Sequence, residues 1–214
     1  ISDLDKLKDR MSDFNDNSVE RFVMSGTGSR NLIASGSVDI PVKRLVSKVT
    51  LSSVTRSFRL KQHQNMDFEL QSVFLTNAPQ QTGFFRSLQS DQLINNGETD
   101  MNAIIAAAGD LLYDDLDDVP VAQDEKAEIG NFLYCYPNIH ADATTPAYLV
   151  LQTRLGSGIY YYTVALPAME SNKCYDVALT VTMPGSLTPD VPVKKEDAVF
   201  SVSVMDWSGK VDIN

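Results

Sequence analysis

From Ala198 to Asn214 the chain alternates apolar and polar side chains more cleanly than anywhere else. Phe200, Val202 and Val204 make one apolar row, and after the Ser208-Gly209 break Val211 and Ile213 make a second, shorter one. Successive side chains of a strand point to opposite faces, so a period of two suits a β-strand and does not suit a helix. A strand at a chain end can pair within its own domain or along an edge of another molecule. In the second case backbone hydrogen bonds give affinity, and alternate side chains entering pockets fix the register.

The rest of the chain reads as short strands broken by turns. Leu4, Leu7 and Met11 recur at helical spacing, so residues 1 to 13 predict a short amphipathic helix, ended by Asn15 to Asn17. Ser25-Gly26-Thr27-Gly28-Ser29 predicts a turn. A phosphate-binding loop would need a Lys-Ser/Thr pair opening a helix, and here Arg30-Asn31 leads towards strands instead. Val38, Ile40 and Val42 alternate, the phase then slips to Leu45, Val49 and Leu51, and a bulge or bend fits the slip. Phe68 to Leu70 and Val73 to Leu75 continue the pattern. Residues 77 to 130 read as a long decorated connection holding an Ala-rich helix of about two turns at Met101 to Ala108, weakened by Gly109.

Periodic strands resume at Phe132, which places a domain boundary at Gly130–Asn131. Strands are expected over Phe132–Tyr136, Tyr148–Thr153, Ile159–Leu166, Tyr175–Thr182 and Phe200–Met205, a spacing that suggests a β-sandwich. Tyr175, Val177, Leu179 and Val181 form the inward set of the fourth. The expectation is an all-β chain of two sandwich domains, residues 1–130 and 131–214, with short helices in the connections. Its 214 residues suffice for such cores. There is no apolar run near the roughly 20 residues that span a bilayer. A net charge of −10 opposes nucleic acid and anionic membrane as partners.

Catalytic and metal chemistry find little support. His is the usual base and ligand, and the chain has only His63 and His140. Cys135 and His140 are separated by the turn at Pro137-Asn138, so a core thiol and a loop His are the plainer reading. Asp110, Asp114, Asp115, Asp117 and Asp118 carry the oxygen chemistry of Ca²⁺ but not the order of an EF-hand, which favours a solvated acidic loop. Tyr160 to Tyr162 could line a sugar site, yet consecutive residues of a strand face opposite ways, which favours packing. Cys135 and Cys174 permit one disulfide without requiring it. No catalytic, cofactor-binding or metal residue is singled out.

An ordered set of segments spread over nearly the whole chain resembles the Bacteroidales major fimbrillins, the type V pilins and their fimbrillin-like relatives. The segments are 22–26 (FVMSG), 40–49 (IPVKRLVSKV), 68–77 (FELQSVFLTN), 132–138 (FLYCYPN), 160–164 (YYYTV), 172–177 (NKCYDV) and 202–207 (VSVMDW). The resemblance implies two transthyretin-like β-sandwich domains. It further implies export as a lipoprotein, loss of an amino-terminal strand to an Arg-directed protease, and polymerisation in which a neighbour's strand fills the vacated groove. Carried over to this chain, the donor is 198–214. Phe200, Val202, Val204, Val211 and Ile213 become groove-filling side chains, with Trp207 a further subunit contact. Family members have strands ahead of the stretch matching Leu4 to Met24, so Ile1 reads as a position inside the amino-terminal domain.

The function so implied is a structural subunit of an extracellular fimbria on the bacterial outer membrane. It would form a homopolymer with identical subunits, together with anchor and tip fimbrial proteins, and meet the membrane only through a processed lipoprotein precursor. No cofactor and no nucleic acid are involved, and the chain is not an enzyme. The alternatives are a monomeric surface adhesin or glycan-binding module, or an accessory tip subunit, of the same fold.

Overall fold

The computed structural model describes residues 6, 8–29, 37–85, 88–138 and 145–207. In chain order the strands are β1 (Met11–Asp13), β2 (Met24–Ser25), β3 (Lys43–Arg44), β4 (Ser47–Arg56), β5 (Phe68–Thr76), β6 (Ala78–Pro79), β7 (Gln81–Gly83), β8 (Leu93–Ile94), β9 (Tyr113–Pro120), β10 (Lys126–Glu128), β11 (Leu133–Cys135), β12 (Tyr148–Leu155), β13 (Gly158–Ala165), β14 (Lys173–Val181) and β15 (Ala198–Asp206). Between them lie the helices α1 (Lys61–Gln64) and α2 (Met101–Leu112).

The all-β expectation holds, and the residues form a sandwich of two large sheets. One runs β10-β4-β14-β15 with β11 also on β4, and the other runs β13-β12-β5-β9. Inward residues of both meet in one apolar core, among them Val49, Leu51, Val73, Leu75, Leu133, Leu149, Leu151, Tyr162, Val177 and Leu179. Alternation is the cause: Tyr175, Val177, Leu179 and Val181 are all buried while the residues between them are only partly covered.

The boundary expected at Gly130–Asn131 is corrected by the strand pairing. β4 lies before it and pairs in parallel with β14 after it, and β5 before it pairs antiparallel with β12 after it. Dividing the chain there would cut both large sheets and expose the shared core. The sequence signal was a real return to periodic strands at Phe132, but those strands complete sheets begun earlier.

Local departures have local causes. The helix expected through Asp13 ends sooner, because Met11–Asp13 pairs with β7 as β1; residues 1–5 and 7 lie outside the described set. Val38, Ile40 and Val42 are not in a strand and remain exposed. Their segment runs closely along Gly26 and Gly28, where an added Cβ would meet the Pro41 carbonyl oxygen at 2.3 Å and the Ile40 side chain at 2.9 Å. The phase slip expected between Val42 and Leu45 falls ahead of β4, where the exposed segment passes into β3; β4 has a separate bulge at Ser52, opposite Val177–Ala178 of β14. A second bulge, at Gln71, joins what read as two strands into β5.

Residues 77–130 are less of a loop than expected. α2 begins with Asp100 accepting a hydrogen bond from the Asn102 N–H at 2.8 Å, and kinks at Gly109, whose φ of 52° is left-handed. It buries Ile104 and Ala108. Asp114, Asp115, Asp117 and Asp118, expected in a solvated loop, lie in β9 along an outer edge of the second sheet. Arg56 closes the turn after β4. Buried, it donates to the carbonyls of Val121, His63, Gln64 and Met66 at 2.7–3.1 Å and lies against the Phe58 and Phe68 rings. These acceptors compensate the desolvation of its charge.

Candidate functional site: the carboxyl-terminal strand

β15 pairs antiparallel with β14 over its whole length, from Ala198 opposite Val181 to Asp206 opposite Lys173. Phe200, Val202 and Val204 lie opposite Leu179, Val177 and Tyr175. Directly opposed residues share a face, so the expected apolar row points to the core side of its sheet. There it finds no complete cover. Phe200 is 39% exposed and Val204 51%, while Leu179 and Tyr175 beside them are each 2% exposed. Val202 alone of the three packs partly on the core. On the other face Val199 and Met205 are exposed too. The strand belongs to the fold by its backbone more than by its side chains.

Its ends are held more firmly. At the start the Thr182 N–H donates to the Asp197 carbonyl at 2.8 Å, the Thr182 hydroxyl donates to the Glu196 carbonyl at 2.9 Å, and Ala198 is buried. At the end the Trp207 N–H donates to the Asn172 carbonyl at 3.1 Å. The indole stacks on Tyr134 with centroids 5.6 Å apart and meets the edge of Phe22 at the same distance. The Arg44 guanidinium lies 4.4 Å from its centroid, on the attractive ring face. One residue earlier Asp206 pairs with Lys173 at 2.7 Å. That bond and Coulombic attraction hold the Asp206 carboxyl below its ordinary range and lift Lys173.

Of the subunit-contact residues expected from sequence, Phe200, Val202, Val204 and Trp207 are brought to one edge of the molecule. Val211 and Ile213 lie outside the described residues. The partners of Trp207 escaped sequence reasoning, because Phe22, Arg44 and Tyr134 are remote along the chain and share no spacing with it.

The other candidates resolve as packing. Cys135 and Cys174 are free thiols on the two strands flanking β4, paired with Ser47 and Lys48. Two strand spacings, roughly 9–10 Å, exceed the reach of a disulfide. Burial pushes the Cys135 thiol up to about 12, which keeps it protonated. Tyr161 and Tyr162 are both buried, on opposite faces of β13, Tyr162 in the main core and Tyr161 with Phe74, Ile104 and Val150. Neither forms an exposed platform for a sugar. His140 lies outside the described residues. Among the described residues no three His, Cys, Asp or Glu side chains converge as metal ligands, and no helix is long and apolar enough to cross a membrane.

No family model and no curated protein matches the sequence. Solved structures match by shape. A candidate cell-adhesion protein from Bacteroides eggerthii DSM 20697 has a TM-score of 0.69 at 18% identity, over 97% of this chain and 72% of that one. One from Parabacteroides distasonis ATCC 8503 has a TM-score of 0.64 at 12% identity, over 100% of this chain and 72% of that one. A fimbrilin from Porphyromonas gingivalis W83 has a TM-score of 0.60 at 15% identity, over 95% and 75%. The likeness read from sequence therefore holds at the level of fold: the chain is built as these adhesion and fimbrial proteins of Bacteroidales are built.

Proposed function

We propose that the chain is a structural subunit of a cell-surface fimbria and that it polymerises by giving its carboxyl-terminal segment, 198–214, to the next copy. The fold shared with a fimbrilin and with candidate cell-adhesion proteins supports the fimbrial part. One observation carries the strand-exchange part: Phe200, Val202 and Val204 face the core side of their sheet, yet Phe200 and Val204 remain 39% and 51% exposed and Val202 is only partly buried. Moving into a groove of a neighbour, β15 exchanges its ladder with β14 for an equivalent ladder. It gains burial of its apolar row, at about 1.5–3 kcal/mol for each side chain that becomes fully covered. A head-to-tail contact of this kind does not close, so it propagates into a filament.

The reading needs no cofactor, no nucleic acid and no catalytic group. It places the subunit on the outer surface, reached through a lipoprotein precursor, with identical subunits as main partners and anchor and tip proteins at the ends of the fibre. Electron microscopy tests it directly. The intact chain is expected to form filaments, and a chain lacking 198–214 is expected to form none while keeping most of its β signature by circular dichroism. Filaments from the shortened chain would sink the proposal. The adhesin alternative gains nothing from Tyr161 and Tyr162, since both are buried.

A further inference from the structure

The two large sheets have four outer edges, and three are defended against strand addition in different ways. β9 carries Asp114, Asp115, Asp117 and Asp118, is bulged between Asp115 and Val119 with φ of 54° at both Asp117 and Asp118, and ends in Pro120. β13 is covered by the following chain: Tyr161 and Ser186 exchange backbone hydrogen bonds at 2.8 and 2.9 Å, and the Val193 N–H donates to Thr163 at 2.8 Å. The edge beside β4 is split into β10 and β11, each only three residues long, with charges at Lys126 and Glu128. Charge, bulge, proline, cover and shortness are the usual protections of a sheet edge.

Among the described residues β15 has none of them. From Ala198 through Met205 it carries no charge and no proline, and its pairing with β14 runs without a register shift. The direction of its free backbone groups follows from its two ends. Thr182 bonds Asp197, and Trp207 bonds Asn172. Antiparallel pairs alternate between bonded and non-bonded, so Val199, Ser201, Ser203 and Met205 turn their N–H and C=O groups to β14. Phe200, Val202 and Val204 turn theirs outward.

The order of side chains then says what fits. Around Val202 the strand reads the same in both directions by chemical class: Ser201 and Ser203 flank it, then Phe200 and Val204, then Val199 and Met205. We infer that the free edge of β15 pairs antiparallel with the same edge of a second copy, centred on Val202, joining two five-stranded sheets across a two-fold axis. An isologous contact demands this kind of self-complementarity. Val202 meets Val202, Phe200 meets Val204, Ser201 meets Ser203 and Val199 meets Met205, so each exposed apolar residue faces another. Asp206 falls opposite Ala198, which keeps the two carboxylates from facing one another. The bonded pairs of the new ladder are those of Phe200, Val202 and Val204, whose groups already point outward. The inference concerns β15 at home and stands whether or not the strand is later exchanged.

Sedimentation equilibrium of the full chain tests it with two double substitutions on the outer face. Ser201→Lys with Ser203→Lys sets like charges opposite each other twice, and Ser201→Lys with Ser203→Glu sets opposite charges there twice. The unchanged chain is expected to dimerise reversibly. The first variant should raise the dissociation constant at least about tenfold, and the second should leave it within about threefold. The two differ only in the sign of one charge, which controls for folding. As a second readout, Ser201→Cys with Ser203→Cys should give a covalent dimer on oxidation, because non-bonded pairs bring opposed residues closest. A chain monomeric through about 1 mM, or association of any order that survives the double Lys substitution, overturns the inference. A strand-swapped dimer is one such survivor, since there these serines need not oppose their own copy.

Discussion

β14 and β15 are neighbours in one sheet, nine residues each, with the same apolar alternation, yet they contribute to the molecule in opposite ways. β14 lies between β4 and β15 and under the second sheet, so each of its inward side chains is enclosed. Among the described residues β15 has a strand neighbour on one side only, and Phe200 and Val204 on its core side remain exposed. The difference shows that alternation specifies which face a residue takes but not whether anything covers that face. The sharpest way to break the contrast is a matched pair of truncations. Leu179→Ala in β14 is expected to cost about 2–5 kcal/mol by urea unfolding, the usual range for a buried leucine. Phe200→Ala, directly opposite it, is expected to cost less than about 1 kcal/mol, in keeping with its exposure. Equal losses would mean that β15 is covered in solution by something beyond the described residues.

That contrast also marks how far the sequence could be read. The strand character of β14 and β15, and the inward set Tyr175 to Val181, follow from period two alone and were legible. The false boundary at Gly130–Asn131 arose because pairing partners are not written locally: nothing in Ser47–Arg56 names Lys173–Val181 as its parallel neighbour. The acidic residues Asp114 to Asp118 misled for a related reason, since carboxylates on an exposed sheet edge have the same composition as a solvated loop. Phe200, Val202 and Val204 were legible as one row. Their incomplete cover was not, because it depends on where a distant sheet ends.

Trp207 sharpens the comparison at a second level, because it fastens β15 where the apolar row does not. Its ring contacts come from Phe22, Tyr134 and Arg44, outside the β14–β15 ladder. Trp207→Ala removes two aromatic contacts of about 0.5–1.5 kcal/mol each and a cation–π contact of about 0.5–1 kcal/mol. Global stability is expected to fall by about 1–3 kcal/mol on that basis. Amide exchange should show where the loss is felt. Protection of Val199, Ser201, Ser203 and Met205 is expected to drop more than that of the β4–β14 pairing, since the outer strand opens first. A uniform drop across both ladders would mean that Trp207 supports the whole sandwich and is no selective fastener of β15.

The smallest expected effect belongs to the ion pair beside Trp207, and its sign can be worked out. The Asp206 carboxyl is held below its ordinary value of 3.8, first by the hydrogen bond from Lys173 and then by Coulombic attraction, with desolvation opposing. A carboxyl depressed in the folded state binds its proton less readily there than in the unfolded chain. Its contribution is therefore complete above its unfolded value and is lost as pH falls through the folded one, which lies lower. Lys173 is raised by the same partner, so its share persists up to alkaline pH and is lost only as pH rises through that raised value. Between these limits the pair is insensitive to pH. Both groups are solvent-exposed, so salt screens their attraction. Comparing the chain with Asp206→Asn by thermal melting, the difference should be small at neutral pH, shrink with added salt and vanish as pH falls through the lowered value of the carboxyl. A difference that grew on acidification would assign the acid response of this edge to other carboxyls.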